Sequence, residues 1–195
     1  MFRTVVAASV IVASMGFPPA FAAAPQPLAA PAAPGICLFS RNGAVAPSRA
    51  GQAGTQRLQQ LVAGVNAELN PQQQQMVSDN AALQAQKSSL SAGAFQQRNT
   101  ALEQRFQAFQ QLRQLRNAQV QATQTQVEQY IDQAMAPVLD AVSASHRCSV
   151  VLDRANAYRF AAGMDLTDQV RVGLDQRLPT VQFNLVAPEA VQPKK

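Results

Sequence analysis

The sequence predicts a mostly helical α+β protein, in which a small β body formed with partner subunits carries a long antiparallel helical hairpin. Three observations carry this. Residues 53–142 are glutamine-rich and nearly free of proline, and their apolar residues recur every seven positions. The segment Ser88-Ser89-Leu90-Ser91-Ala92-Gly93-Ala94 is a cluster of small, helix-weak residues in the middle of that stretch. Short apolar runs flank it on both sides, Ile36-Cys37-Leu38-Phe39-Ser40 before and Cys148-Ser149-Val150-Val151-Leu152-Asp153 after.

The first 24 residues have the order of a secretory signal peptide. Arg3 precedes an apolar run from Val5 to Ala13, followed by Pro18-Pro19 and the small-residue site Ala20-Phe21-Ala22. That run is too short to span a bilayer. Residues 25–34, with Pro25, Pro27, Pro31 and Pro34, read as an extended or disordered leader. The first strand follows. Pro47, Gly51 and Gly54 make residues 41–54 a loop or a poorly formed turn, and helix is expected from about Thr55.

On the outgoing helix Val62, Leu69, Met76, Leu83 and Leu90 keep a strict step of seven, and Leu58, Val65 and Ala81 support a second row. On the return, Leu102 and Phe109 are seven apart. Phe106, Val120, Val127 and Ala134 form another row once Arg113 is admitted, and Ile131, Val138 and Val142 extend it. A step of seven holds one apolar seam on slightly underwound helices that wrap around each other. Asn70-Pro71 predicts a kink or restart without loss of phase, and Pro137 a second interruption. The arm therefore covers residues 55–137 with its tip at 88–94, and the body combines 35–54 with 138–186. Beyond the second strand, residues 156–161 suggest a third. Asp165 caps a short helix over 166–178 with Asp168 three positions on. Residues 180–186 suggest an edge strand, and 187–195 a flexible basic tail.

Composition excludes several classes. Aromatic residues make up 6% of the chain and there is no Trp, which is thin for a thick globular core, so the arm must be held by a narrow stripe. The net charge of +5 is diffuse; without a run of like charges it does not mark a nucleic-acid surface. His146 and Cys148 have no second pair of ligands to complete a metal site. No Gly-rich phosphate loop or nucleophile elbow occurs. No catalytic residue, metal or cofactor is expected. Cys37 and Cys148 fall in the two strands and either form a disulfide, which needs Cα atoms within about 7 Å, or pack as two small buried hydrophobes.

The order of parts, with Val150-Val151-Leu152-Asp153 and Asp165-Leu166-Thr167 as its most specific pieces, resembles the Skp/OmpH family of periplasmic chaperones for outer-membrane proteins. The resemblance spans about residues 35–179. It implies a jellyfish-like homotrimer whose short strands assemble a β body, from which three arms enclose a cavity. Unfolded outer-membrane proteins would be held there without ATP. The strand residues Ile36, Leu38, Val150, Val151 and Leu152 are then candidates for the oligomer interface. Candidate client contacts are Phe95, Phe106 and Phe109 with Arg98, Arg105 and Arg113, although helical spacing favours the seam for Phe106 and Phe109. Between residues 71 and 131 the arm carries Lys87, Arg98, Arg105, Arg113 and Arg116 against Asp79, Glu103 and Glu128, five minus three or +2. That leaves only weak contact with a membrane surface and a modest attraction to anionic clients. The competing reading is a structural envelope coiled coil or adaptor that binds one folded partner.

Overall fold

The computed structural model describes residues 35–187. The expected signal peptide, the leader and residues 188–195 of the tail lie outside the described residues. The chain runs from strand β1 (Ile36–Phe39) through a short helix α1 (Arg41–Val45) into α2 (Arg49–Ala85). It turns back into α3 (Ala92–Ser145), then forms strand β2 (Val150–Asp153) and, after two single 3₁₀ turns, helix α4 (Thr167–Arg177). The fold is thus mostly helical, with two long helices and a two-stranded sheet.

The first three helix starts are each set by a serine. The Oγ atoms of Ser40, Ser48 and Ser91 accept from the backbone N–H groups of Gly43, Gly51 and Ala94, satisfying donors that a first helical turn leaves free. The helices that the first two caps start, at Arg41 and Arg49, fall in residues 41–54, where a loop was expected. Helix therefore begins at Arg49, six residues before Thr55. Gly51 allows this, because a Cβ there would meet the Val45 carbonyl oxygen at 1.9 Å. Asp175 of α4 adds a carboxylate oxygen 2.7 Å from the Arg49 N–H, placing negative charge at the positive end of α2.

The 37 residues of α2 and the 54 of α3 would extend about 55 and 80 Å at 1.5 Å per residue. Both Pro71 and Pro137 lie inside continuous helix, so the chain does not restart a helix at either. The tip turn occupies residues 86–91, slightly earlier than expected, because Ser91 caps α3 and draws Gly93 into its first turn. Two bidentate ion pairs brace the hairpin. Arg116 reaches Glu68 with both contacts at 2.9 Å, and Arg41 of α1 reaches Asp132 of α3 at 2.7 and 2.9 Å.

The body forms where the chain returns. β1 and β2 pair in parallel, Ile36 opposite Val150 and Leu38 opposite Leu152, with the whole arm as their crossover. Gly35 adopts φ +80°, a region that favours glycine, and its carbonyl accepts from both Ser149 and Val150 N–H. Cys37 and Cys148 form a disulfide with Cα atoms 5.7 Å apart, closing the arm at its base. The core packs Leu166, just before α4, and Val170 and Leu174 of α4 against Ala44, Ala50, Ile131 and Met135. It therefore reaches well up the returning helix.

Three expectations change at the C-terminal end. Residues 156–161 are not a third strand; the chain there makes a 3₁₀ turn and bends back, and Tyr158 is exposed. The terminal helix begins at Thr167, with Asp165 Oδ1 accepting from the Thr167 N–H. Residues 180–186 are extended but join no sheet. The edge of β1 away from β2 is already taken, since Leu38 O accepts from Leu166 N–H and Ser40 N–H donates to Thr167 Oγ1.

Candidate functional site

Two surfaces stand out, one on the arm and one on the body. On the arm, the observed seam consists of Val65, Leu69, Met76 and Phe109, with Leu112, Val120 and Leu185 half-buried around it. Phe106 does not belong to it. The returning row that faces α2 is Leu102, Phe109, Arg116 and Thr123; Phe106 lies in the neighbouring row with Arg113 and Val120, which becomes covered only from Val120 onward. Phe106 is instead 52% exposed and Val77 of α2 is 66% exposed.

Phe106 and Val77 form the walls of an open cleft of about 540 Å³ between the helices. Met76 and Phe109 are its floor, and Gln73, Asn80, Gln110 and Arg113 line its rim. The Arg113 guanidinium is held by Gln110 Oε1 at 2.7 Å. This pairing is neutral and leaves the cation available. The cleft can therefore take apolar groups on its floor while polar amides and one charge of each sign, Arg113 and Glu103, line its rim. It lacks the grouped titratable side chains that proton or group transfer requires, and among the described residues no three potential metal ligands come together.

Arg98 and Arg105 sit on the other face of the hairpin. Arg105 pairs with Asp79 at 2.6 Å, and Arg98 donates to Gln86 Oε1 at 2.7 Å. The Gln75 amide, and then Arg105, hold the Asp79 carboxyl below the usual carboxylate range. Both arginines are thus engaged in tying α2 to α3, and the six candidate contact residues do not form one patch. Phe95 lies near the tip, half-buried, with the Lys87 ammonium 5.8 Å from its ring centre.

On the body, β2 is exposed along its whole length, with Val150, Val151 and Leu152 between 36% and 48% accessible and Ile36 of β1 at 40%. Its outer edge pairs with no other strand among the described residues. An apolar strand with an open hydrogen-bonding edge is a template for another chain. Leu38 is different. It is buried inside its own subunit, because β1 is covered by residues 165–167, so it is a core residue and not a candidate for the interface. His146 caps the end of α3, with Nε2 2.7 Å from Gln169 Oε1.

Sequence reasoning missed Gln119 and Thr123, two buried polar residues on α3. The step of seven would have found Thr123, since it continues Leu102, Phe109 and Arg116; Gln119 continues Leu112 in the same way.

Residues 36–174 match the family model described as "Outer membrane protein (OmpH-like)". Among solved structures, the chain is similar to a protein from Caulobacter crescentus CB15 for which an outer membrane chaperone (OmpH-like) role is proposed. The two share 33% identity, with 82% of this chain and 95% of the other covered and a TM-score of 0.76. Comparison with curated proteins yields no match. With most of its length matched by the family model and its hairpin-on-body architecture shared with that structure, this chain belongs to the OmpH-like family.

Proposed function

We propose that this protein is a periplasmic holdase that binds unfolded outer-membrane proteins without ATP and keeps them from aggregating. The observation that carries the reading is the arm cleft. Exposed Phe106 and Val77 stand over an apolar floor on an arm whose polar positions are mostly glutamine. Such a surface grips apolar segments without demanding a fixed partner shape. Holding comes from many weak contacts repeated along several arms.

The assembly follows from the body. Two short strands make a marginal sheet alone, and the exposed β2 edge with Ile36, Val150, Val151 and Leu152 becomes an interface when three copies meet. The arms of a homotrimer then surround a common cavity. The signal peptide over residues 1–24 delivers the chain to the periplasm, where the Cys37–Cys148 disulfide is stable. The test is an aggregation assay with several unrelated urea-unfolded β-barrel proteins, run beside sedimentation of the purified protein. Protection of all of them by a trimer is expected. Protection of none, or binding to a single folded partner, would identify an adaptor instead.

A further inference from the structure

After α4 the chain leaves the body and lies extended along the base of the arm. Val181, Phe183 and Leu185 turn inward, Val181 buried, Phe183 against the body core and Leu185 against the arm seam. Gln182 and Asn184 between them are exposed. This is the period of two of an extended strand, yet its neighbours are helices.

The arm supplies the hydrogen bonds that a sheet would otherwise make. Gln119 Nε2 donates to the Val186 carbonyl, and Thr123 Oγ1 accepts from the Val186 N–H at 3.0 Å. Arg57 Nε donates to the Phe183 carbonyl at 2.9 Å, while its Nη2 reaches Asn184 Oδ1 at 2.8 Å. Three of these four bonds go to backbone and so read no side chain. Gln119 and Thr123 are 3% and 1% exposed. Polar groups buried to that degree destabilise a helical seam unless they are paired. Their spacing of four puts both on one face of α3, where together they hold both backbone groups of a single residue. Glu68 and Arg116 extend the arrangement, since Arg116 also donates to Gln119 Oε1 at 2.8 Å and thereby orients its amide. A cleft of about 250 Å³ remains beside Phe183, between Leu58 of α2 and Val127 and Ile131 of α3.

We propose that the arm base is a binding groove for an extended polypeptide of alternating apolar and polar residues, and that residues 181–187 are its resident, displaceable occupant. That alternation is the pattern of a transmembrane β-strand. The inference rests on the holdase reading, in which clients supply such segments. The groove takes alternate apolar side chains in its pockets and holds the backbone through Gln119, Thr123 and Arg57, a recognition that tolerates many sequences. The resident strap covers the apolar floor when no client is present and competes with clients when one is.

The experiment titrates the intact protein with a labelled peptide of the strap's own sequence, residues 181–187, and with an isomer whose apolar residues are grouped. The full-length double variant Phe183→Ser with Leu185→Ser loosens the resident strap. It should bind the alternating peptide about tenfold more tightly than wild type, because an occupied groove lowers apparent affinity by the fraction open. The grouped isomer should bind neither protein. Equal affinity for variant and wild type, or no binding to either, overturns the proposal. If the variant loses its helical circular dichroism, hydrogen exchange at the Val186 amide of the wild-type protein decides. Saturation with an unfolded β-barrel protein should speed that exchange several-fold, and unchanged exchange overturns the proposal. Aggregation protection measured on the same wild-type sample separates the two readings. Protection without any effect of peptide or client at the strap sinks the groove alone, whereas loss of protection sinks the holdase reading.

Discussion

In the body, Leu166, Val170 and Leu174 are fully buried and surrounded on all sides by β1, α1 and α3; in the arm, Met76 and Phe109 are covered by little more than each other and their helix neighbours. The body has a disulfide across its base, and the arm has three ion pairs or charge-assisted bonds along its length. The difference teaches where each region can change. A body position is filled from every direction, so a lost side chain leaves a cavity. An arm position faces water on one side, and a lost side chain there is partly replaced by solvent. The arm can therefore vary its contacts without loss of the fold, which suits a surface that meets many partners.

Leu174→Ala should be the most damaging single change, destabilising the body by about 3–4 kcal/mol through the cavity it leaves. Urea unfolding followed by circular dichroism measures it, and a cost below about 1 kcal/mol would mean that the body is no better packed than the arm. Replacing both Cys37 and Cys148 with Ala should cost about 3 kcal/mol, since the bridge closes a loop of more than a hundred residues. The comparison is sharpened by adding reductant to the wild type, which should lower its midpoint by a similar amount and leave the variant unmoved.

Within the arm, Phe109 and Phe106 are one turn apart and should behave oppositely. Phe109→Ala removes the floor of the seam and should cost up to about 3 kcal/mol, seen as faster hydrogen exchange around Met76. Phe106→Ala should change stability by less than about 0.5 kcal/mol while weakening client binding a few-fold, about 1 kcal/mol or less. A Phe106 variant that unfolds the arm would return this residue to the seam.

The smallest effect concerns pH. The Asp79 carboxyl titrates below its usual value of 3.8 because Gln75 and Arg105 favour its charged form. A carboxylate with a depressed value stabilises the folded state above that pH and loses the contribution as pH falls through its folded value. Acidification below about 4 should loosen the Arg105 tie in the upper arm, measurable as a chemical-shift change at Asp79. The Asp79→Asn variant should lack that transition, and the exposure of the Arg105 side chain to solvent keeps the effect small.

How much of this was legible depends on how local each signal is. The hairpin was readable from Leu69, Met76 and Leu83, whose step of seven survives any detail of packing, and the tip from the small residues 88–94. The strand residues Ile36 and Val150 were readable as short apolar runs. Helix in residues 41–54 was hidden behind Gly51 and Gly54, which read as loop until Ser48 is seen to cap them and Val45 to press against the first. Phe106 was misplaced because a row of seven that includes Arg113 looks as good in one dimension as the row of Leu102, Phe109 and Arg116. Only the position of α2 chooses between them.

By itself, then, the sequence determined the hairpin, the strand pair that returns to one body and the family resemblance, because periodicity and motif order are properties of the chain taken one turn at a time. Only the tertiary structure decided which face of the arm exposes Phe106 and Val77, that Leu38 is core while Val150 to Leu152 are surface, and that residues 181–187 lie on helices and not in a sheet. Each of these depends on a partner far away in sequence. Exposure is set by what covers a residue, and an extended segment takes its hydrogen bonds from whichever donors lie closest, here Arg57 and Gln119.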